Sequence, residues 1–279
     1  MAKGLALTIG LNTVDPRHYA GWNGRLAACE ADARDMADVA RARKFTVRRL
    51  LTRSATRRAV LAGIASAAGA LRSGDIFLLT YSGHGGQVPD RNHDEPDLQD
   101  ETWCLYDGEL IDDEIYQALA RFKAGVRVLV LSDSCHSGTV TKAMFYTARA
   151  ERSAGPGGDG AAQIRYRNMP REVALRTYRA HRAMYDKLQD AIKGDPRVAV
   201  RAAVILISGC QDNQLSQDGK FNGLFTANLL RVWKEGRFRG SYRAFHSAIV
   251  RNMPPDQTPK LFTIGASVRA FEKQRPFTV

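Results

Sequence analysis

A single α/β domain built on a mostly parallel sheet is the fold class that this chain of 279 residues predicts, and three observations carry the prediction. Uninterrupted apolar runs of strand length, such as Ile76-Phe-Leu-Leu-Thr80 and Val128-Leu-Val-Leu131, are what parallel strands buried on both faces require. Segments with helical apolar spacing separate these runs, as right-handed crossovers demand. The length suffices for one substantial core, and no change of composition divides it into two.

The elements follow in order. A strand is expected over 5–12, then a helix over 28–44 whose apolar positions Ala31, Met36, Val39 and Ala40 share a face. A strand over 45–51, an Ala-rich helix over 56–71 and the strand ending at Tyr81 come next. An acidic loop runs to Asp100, followed by a short segment over 102–106 and a helix opening at Asp112 or Asp113, whose carboxylates suit a helix N-terminus. After the strand ending near Ser132, residues 139–201 break the rhythm. Glu151-Arg-Ser-Ala-Gly-Pro-Gly-Gly-Asp-Gly160 has linker composition, and 172–193 reads as a basic, partly amphipathic helix. Regularity returns with Ala202-Ala-Val-Ile-Leu-Ile-Ser-Gly-Cys210, the polar stretch 211–219, helices over 223–233 and 241–252, and a last strand over 259–264.

The net charge of +12 raises the question of nucleic acid, but its distribution argues otherwise. Residues 139–201 hold 13 Lys/Arg against 6 Asp/Glu, which is seven of the twelve net charges. Acid gathers instead between 90 and 114, at Asp90, Asp94, Glu95, Asp97, Asp100, Glu101, Asp107, Glu109, Asp112, Asp113 and Glu114. That pattern suggests recognition of basic protein, with no nucleic acid and no membrane expected. The four cysteines show no CxxC or zinc spacing, so free thiols are the default. No run has the length of a membrane span and the N-terminus reads as a first strand rather than a signal, so a cytoplasmic location is expected.

Two of the apolar runs end in polar clusters, Tyr81-Ser-Gly-His-Gly-Gly86 and Asp133-Ser-Cys-His-Ser-Gly138. Strand ends are where a parallel sheet presents its chemistry. An imidazole that takes a thiol proton and returns it to the leaving group makes a cysteine an effective nucleophile, so His84 and Cys135 form the candidate catalytic dyad. His136 reads as structural.

These two clusters, 51 residues apart, resemble those of the metacaspases, caspase-like cysteine peptidases. The resemblance extends to Gly24-Arg-Leu-Ala-Ala-Cys-Glu-Ala-Asp-Ala-Arg-Asp-Met36, to the acidic stretch 92–101, to Leu110-Ile-Asp-Asp-Glu114 and to Ile207-Ser-Gly-Cys-Gln-Asp-Asn-Gln214. It covers nearly the whole chain apart from the insert and the last ten residues. It implies a caspase-like three-layer α/β/α sandwich, with 1–138 resembling the large subunit, 139–201 a basic inserted linker and 202–279 resembling the small subunit, all in one folded domain. It also implies a cysteine endopeptidase acting on protein substrates after Arg or Lys, with Asp32, Ser82, Asp133 and Cys29 lining the pocket for the residue before the scissile bond (P1). The backbone N–H groups of Gly85 and Cys135 are the expected oxyanion donors.

The resemblance further suggests a calcium site from Asp97, Asp100, Asp112 and Asp113. The position seven after Cys135, which in that family carries an Asp, is Lys142 here, so calcium dependence is expected to be weak or absent and no cofactor is required. The insert is read as a regulatory or self-cleavage segment, with Arg149, Arg152, Arg165 and Arg167 flanking its most linker-like part; a solvated basic face or a docking helix is the competing reading. An upstream activating protease and a monomeric state complete the expectations. A catalytically silent scaffold or basic binding module is the alternative of a different class, to be separated by an Arg-peptide assay.

Overall fold

The structure, a computed structural model, describes residues 2–91, 98–134, 165–209, 217–219, 221–255, 257–265 and 267–279. Its main sheet has six strands in the order β11-β9-β7-β3-β1-β2. They are β1 (Gly4–Gly10), β2 (Thr46–Leu51), β3 (Ile76–Ser82), β7 (Arg127–Asp133), β9 (Ala203–Ser208) and β11 (Lys260–Ile264). All neighbours run parallel except β11, which pairs antiparallel with β9.

Side-chain alternation sends each strand's residues to two different cores. Ile76, Leu78, Leu129, Leu131, Ile205 and Ile207 face helices α1 (Cys29–Ala42), α5 (Leu224–Trp233) and α6 (Tyr242–Val250), packing with Met36, Phe225, Trp233 and Phe245. Phe77, Leu79, Val128, Val130 and Val204 face α2 (Arg57–Ala70) and α3 (Asp112–Leu119) through Val60, Ile64, Ile115 and Leu119. The three-layer α/β/α arrangement is the one expected. Local signals start the helices: the Thr56 hydroxyl accepts the Ala59 N–H and Ser241 the Ala244 N–H. A short C-terminal helix, α7 (Val268–Glu272), buries Phe271 in the first of these cores.

A second, antiparallel sheet of β4 (Gly85–Pro89), β5 (Gln99–Leu105) and β6 (Gly108–Ile111) stands beside the site. Its first and last strands escape sequence reading, because Gly85-Gly-Gln-Val-Pro89 and Gly108-Glu-Leu-Ile111 contain no apolar run long enough to signal a strand. A two-residue antiparallel pair joins β8 (Arg165–Tyr166) to β10 (Gln217–Asp218).

From Arg165 onward the basic segment packs on the body. Helix α4 (Arg171–Asp190) buries Val173, Thr177, Tyr185 and Gln189. The Tyr185 hydroxyl accepts the Glu109 N–H (3.1 Å) and lies 2.8 Å from His18 Nε2. No helix among the described residues is long and apolar enough to cross a membrane.

Register positions the site. Gly10 pairs with Ser82 and Ser82 with Asp133, so three parallel strands end at one level. A Cβ on Gly10 would lie 2.1 Å from the Cys29 carbonyl oxygen, so only glycine lets the start of α1 sit on this edge.

Candidate active site

His84 follows β3 directly and is 6 % exposed. Its Nε2 lies 3.0 Å from the Gly24 carbonyl oxygen. A carbonyl only accepts, so Nε2 carries the hydrogen and Nδ1 is the basic nitrogen of the neutral ring. The Trp22 ring packs on the imidazole at 4.6 Å between centroids. Burial pushes the His84 pKa down to about 4, against the Gly24 carbonyl and the Asn168 backbone, which favour the charged form. Strand β7 carries the chain to Asp133 and Ser134; Cys135, His136 and Lys142 lie outside the described residues, as do Asp97, Arg149 and Arg152. The backbone of Arg165 lies in β8.

The residues expected to line a P1 pocket are brought together, and a guanidinium sits among them. Arg167 is wholly buried, at 0 % exposure. Its Nη1 is 2.9 Å from Asp133 Oδ2 and donates to Ser82 Oγ (2.8 Å), while Nη2 is 2.8 Å from Asp32 Oδ2 and 3.1 Å from Asp218 Oδ1. Each carboxylate is itself held. Asp32 accepts the Ser82 hydroxyl (2.7 Å), the Gly223 N–H (3.0 Å) and the Asn222 amide (2.9 Å). Asp133 accepts the Thr226 hydroxyl at 2.8 Å. Asp218 accepts the N–H groups of Ala27 (2.7 Å) and Ala28 (3.3 Å) at the start of α1.

Burial, with Asp133 nearby, raises the Asp32 pKa, and the Arg167 guanidinium opposes that rise. Cys29 is fully buried beside Ser82, and burial pushes its thiol well up, so it lines the pocket as a neutral group. Gly223 makes room: a Cβ there would lie 2.5 Å from Arg167 Cζ.

The backbone around Arg167 is equally specific. The Gly85 N–H, an expected oxyanion donor, donates to the Arg167 carbonyl oxygen at 2.9 Å, and the Met169 N–H donates back to the Gly85 carbonyl at 2.7 Å. Residues 167–169 therefore run alongside Gly85, with the Arg167 side chain among the carboxylates.

Asp218 is the pocket residue that sequence reading misses. It stands in the polar stretch 211–219 and serves a pocket formed by residues far away in the chain. Its signal would have been its position in a polar stretch after an apolar run, the same signal that marks Asp133.

Among the residues expected to bind calcium, Asp100 and Asp113 are buried, and Asp112 lines a cavity of about 210 Å³ together with Glu101, Arg197 and Lys260. Among the described residues no group of three His, Cys, Asp or Glu side chains is arranged to hold a metal ion.

Comparison with known proteins agrees with this architecture. The family model described as the caspase domain matches residues 3–277, which takes in the insert and most of the last ten residues. Metacaspase-1A of Aspergillus fumigatus is 30% identical over 254 residues, covering 81% of this chain and 59% of that protein. Metacaspase-1 of Mycosarcoma maydis is 29% identical over 264 residues, covering 84% and 63%. The chain thus spans about three fifths of the length of these curated relatives. The crystal structure of a Geobacter sulfurreducens protein superposes with a TM-score of 0.89 at 61% identity, covering 99% of both chains. Caspase-1 of Spodoptera frugiperda shares the fold, with a TM-score of 0.57 at 11% identity over 95% of this chain and 88% of that one. With the family model matching almost end to end and the sheet of the expected fold, the chain belongs to the caspase domain family.

Proposed function

We propose that the protein is a cysteine endopeptidase of metacaspase type that cleaves after Arg or Lys through His84 and Cys135, and that its own Arg167–Asn168 bond is a substrate. The observation that carries this reading is Arg167 itself, its guanidinium among Asp32, Asp133 and Asp218 and its carbonyl oxygen on the Gly85 N–H. A planar cation with N–H groups on two sides pairs with carboxylates on both sides at once, whereas an apolar or acidic P1 side chain would leave buried charge unpaired.

In the proposed reaction His84 Nδ1 takes the Cys135 thiol proton and the sulfur attacks the Arg167 carbonyl carbon. The oxyanion forms on the Gly85 N–H, a type of donor worth about 10²–10³ in rate in other hydrolases. The tetrahedral intermediate collapses, the C–N bond breaks, and His84 returns the proton to the Asn168 amine. Water then attacks the acyl-enzyme with His84 as base, regenerating the thiol.

The test compares wild type with Cys135→Ala. Wild type should hydrolyse a fluorogenic Arg-peptide and leave Asp-peptides intact, and mass spectrometry should find a cut after Arg167 that is missing in Cys135→Ala. Undiminished hydrolysis by pure Cys135→Ala would sink the dyad, and faster cleavage after Asp than after Arg would sink the pocket.

A further inference from the structure

Two residues beyond Arg167, the chain makes a second anchorage. Met169 is 2 % exposed and packs with Val14, Tyr19 and Cys104 of the body, with the half-buried Trp22 against the same cluster. Its methyl end lies over Gly86, where an added Cβ would come within 2.6 Å of Met169 Cε. Tyr19 is fixed by its hydroxyl, which donates to the Leu105 carbonyl at 2.7 Å, and Trp22 also packs on His84. The lining is therefore largely apolar, supplied by the body of the protein and adjacent to the catalytic histidine.

Register links this depression to the reacting bond. Gly85 donates its N–H to the Arg167 carbonyl and accepts the Met169 N–H, so one residue fixes both the P1 carbonyl and the second residue after the scissile bond. The geometry points to an S2′ subsite, formed by Val14, Tyr19, Trp22, Gly86 and Cys104, that selects an apolar side chain two residues after the cut. The inference rests on the peptidase reading above and adds a prime-side preference that the acidic pocket does not supply. Gly86 leaves space for a long, thin side chain. A carboxylate there would be buried facing Glu109, whose Oε2 lies 2.7 Å from the same Cβ position.

Full-length wild type, Met169→Leu and Met169→Asp are incubated and cleavage after Arg167 is followed by mass spectrometry, while each is also given a fluorogenic Arg-amide that has no residue beyond P1. Wild type and Met169→Leu should cut themselves at similar rates. Met169→Asp should be slowed at least about tenfold, yet each molecule that has been cut should hydrolyse the amide as cut wild type does. A second measurement does not depend on that variant folding: wild type receives two quenched peptides that differ only as Arg-Asn-Met and Arg-Asn-Asp, and kcat/KM should favour the first at least about tenfold. Equal self-cleavage by Met169→Asp, or equal kcat/KM for the two peptides, overturns the subsite. If wild type cuts neither itself nor the Arg-amide, the peptidase reading itself fails and the subsite falls with it.

Discussion

Asp218 Oδ1 lies 3.1 Å from Arg167 Nη2, and the same carboxylate receives the Ala27 and Ala28 N–H groups at the start of α1. One side chain therefore completes the guanidinium pocket and holds the backbone that leads into the helix supplying Asp32.

Substitution can separate those two duties. Asp218→Asn keeps an acceptor for the Ala27 and Ala28 N–H groups and loses the charge, so KM for an Arg-amide should rise by about tenfold or more while Tm changes little, since a charge-assisted bond is worth about 1.5–3 kcal/mol. Asp218→Ala should also leave the Ala27 and Ala28 N–H groups without this acceptor, with a loss of about 1–3 kcal/mol of stability. Steady-state kinetics and thermal melts of both variants check this, and an Asn variant with unchanged KM would remove Asp218 from the pocket.

Removing Arg167 leaves three carboxylates without their shared cation. In a Cys135→Ala background, Arg167→Ala should be destabilised by about 3–5 kcal/mol, the cost of breaking a buried pair. An acetyl-arginine amide at a hundred times its Kd should then restore roughly 5–10 °C of Tm, and have no such effect on the parent chain, whose pocket is filled. Equal shifts in both proteins would contradict occupancy by Arg167.

Two buried groups should pull stability in opposite directions over the same mildly acidic range. Burial holds His84 neutral in the folded chain down to about pH 4, whereas an unfolded imidazole binds its proton near 6.5. Between these values the unfolded state holds the extra proton, so this contribution is full above about 6.5 and is lost as the pH falls towards 4. Glu109 acts in reverse. Burial raises its pKa from 4.5 to about 7, so its contribution is full below about 4.5 and is lost as the pH rises through 7. Urea midpoints between about pH 4.5 and 7 should rise less with pH in His84→Gln, and more steeply with pH in Glu109→Gln, than in the wild type.

Calcium should change the activity by less than about tenfold, equivalent to about 1.4 kcal/mol. Lys142 stands where an acidic ligand is expected, and Arg197 and Lys260 line the cavity that Asp112 faces. Titration of calcium after chelation reads this directly; a larger rise would show that a cation site forms.

The parts of the site that sequence makes legible are those at the ends of long apolar runs. Ser82, His84 and Asp133 lie within or just after strands buried on both faces, so hydrophobicity marks their level in the sheet. Asp32 and Cys29 rest on the family resemblance of the first helix. Asp218 lies in a two-residue strand, too short for a periodic signal, and Gly24 and Trp22 lie in the irregular segment after β1. Arg167 is visible only as one of several basic residues beside a linker, because burial of its guanidinium depends on three carboxylates that the chain assembles from distant positions.

A cut after Arg167 would divide the sheet between two polypeptides without opening it. β1, β2, β3 and β7 belong to residues 1–167 and β9 and β11 to 168–279, and the seam is the parallel β7–β9 pairing inside the sheet, from Arg127↔Ala203 to Ser132↔Ser208. The processed protein would be a heterodimer held by its own former core, so its melting temperature would depend on protein concentration, and dilution under mild denaturant would separate what the intact chain keeps joined.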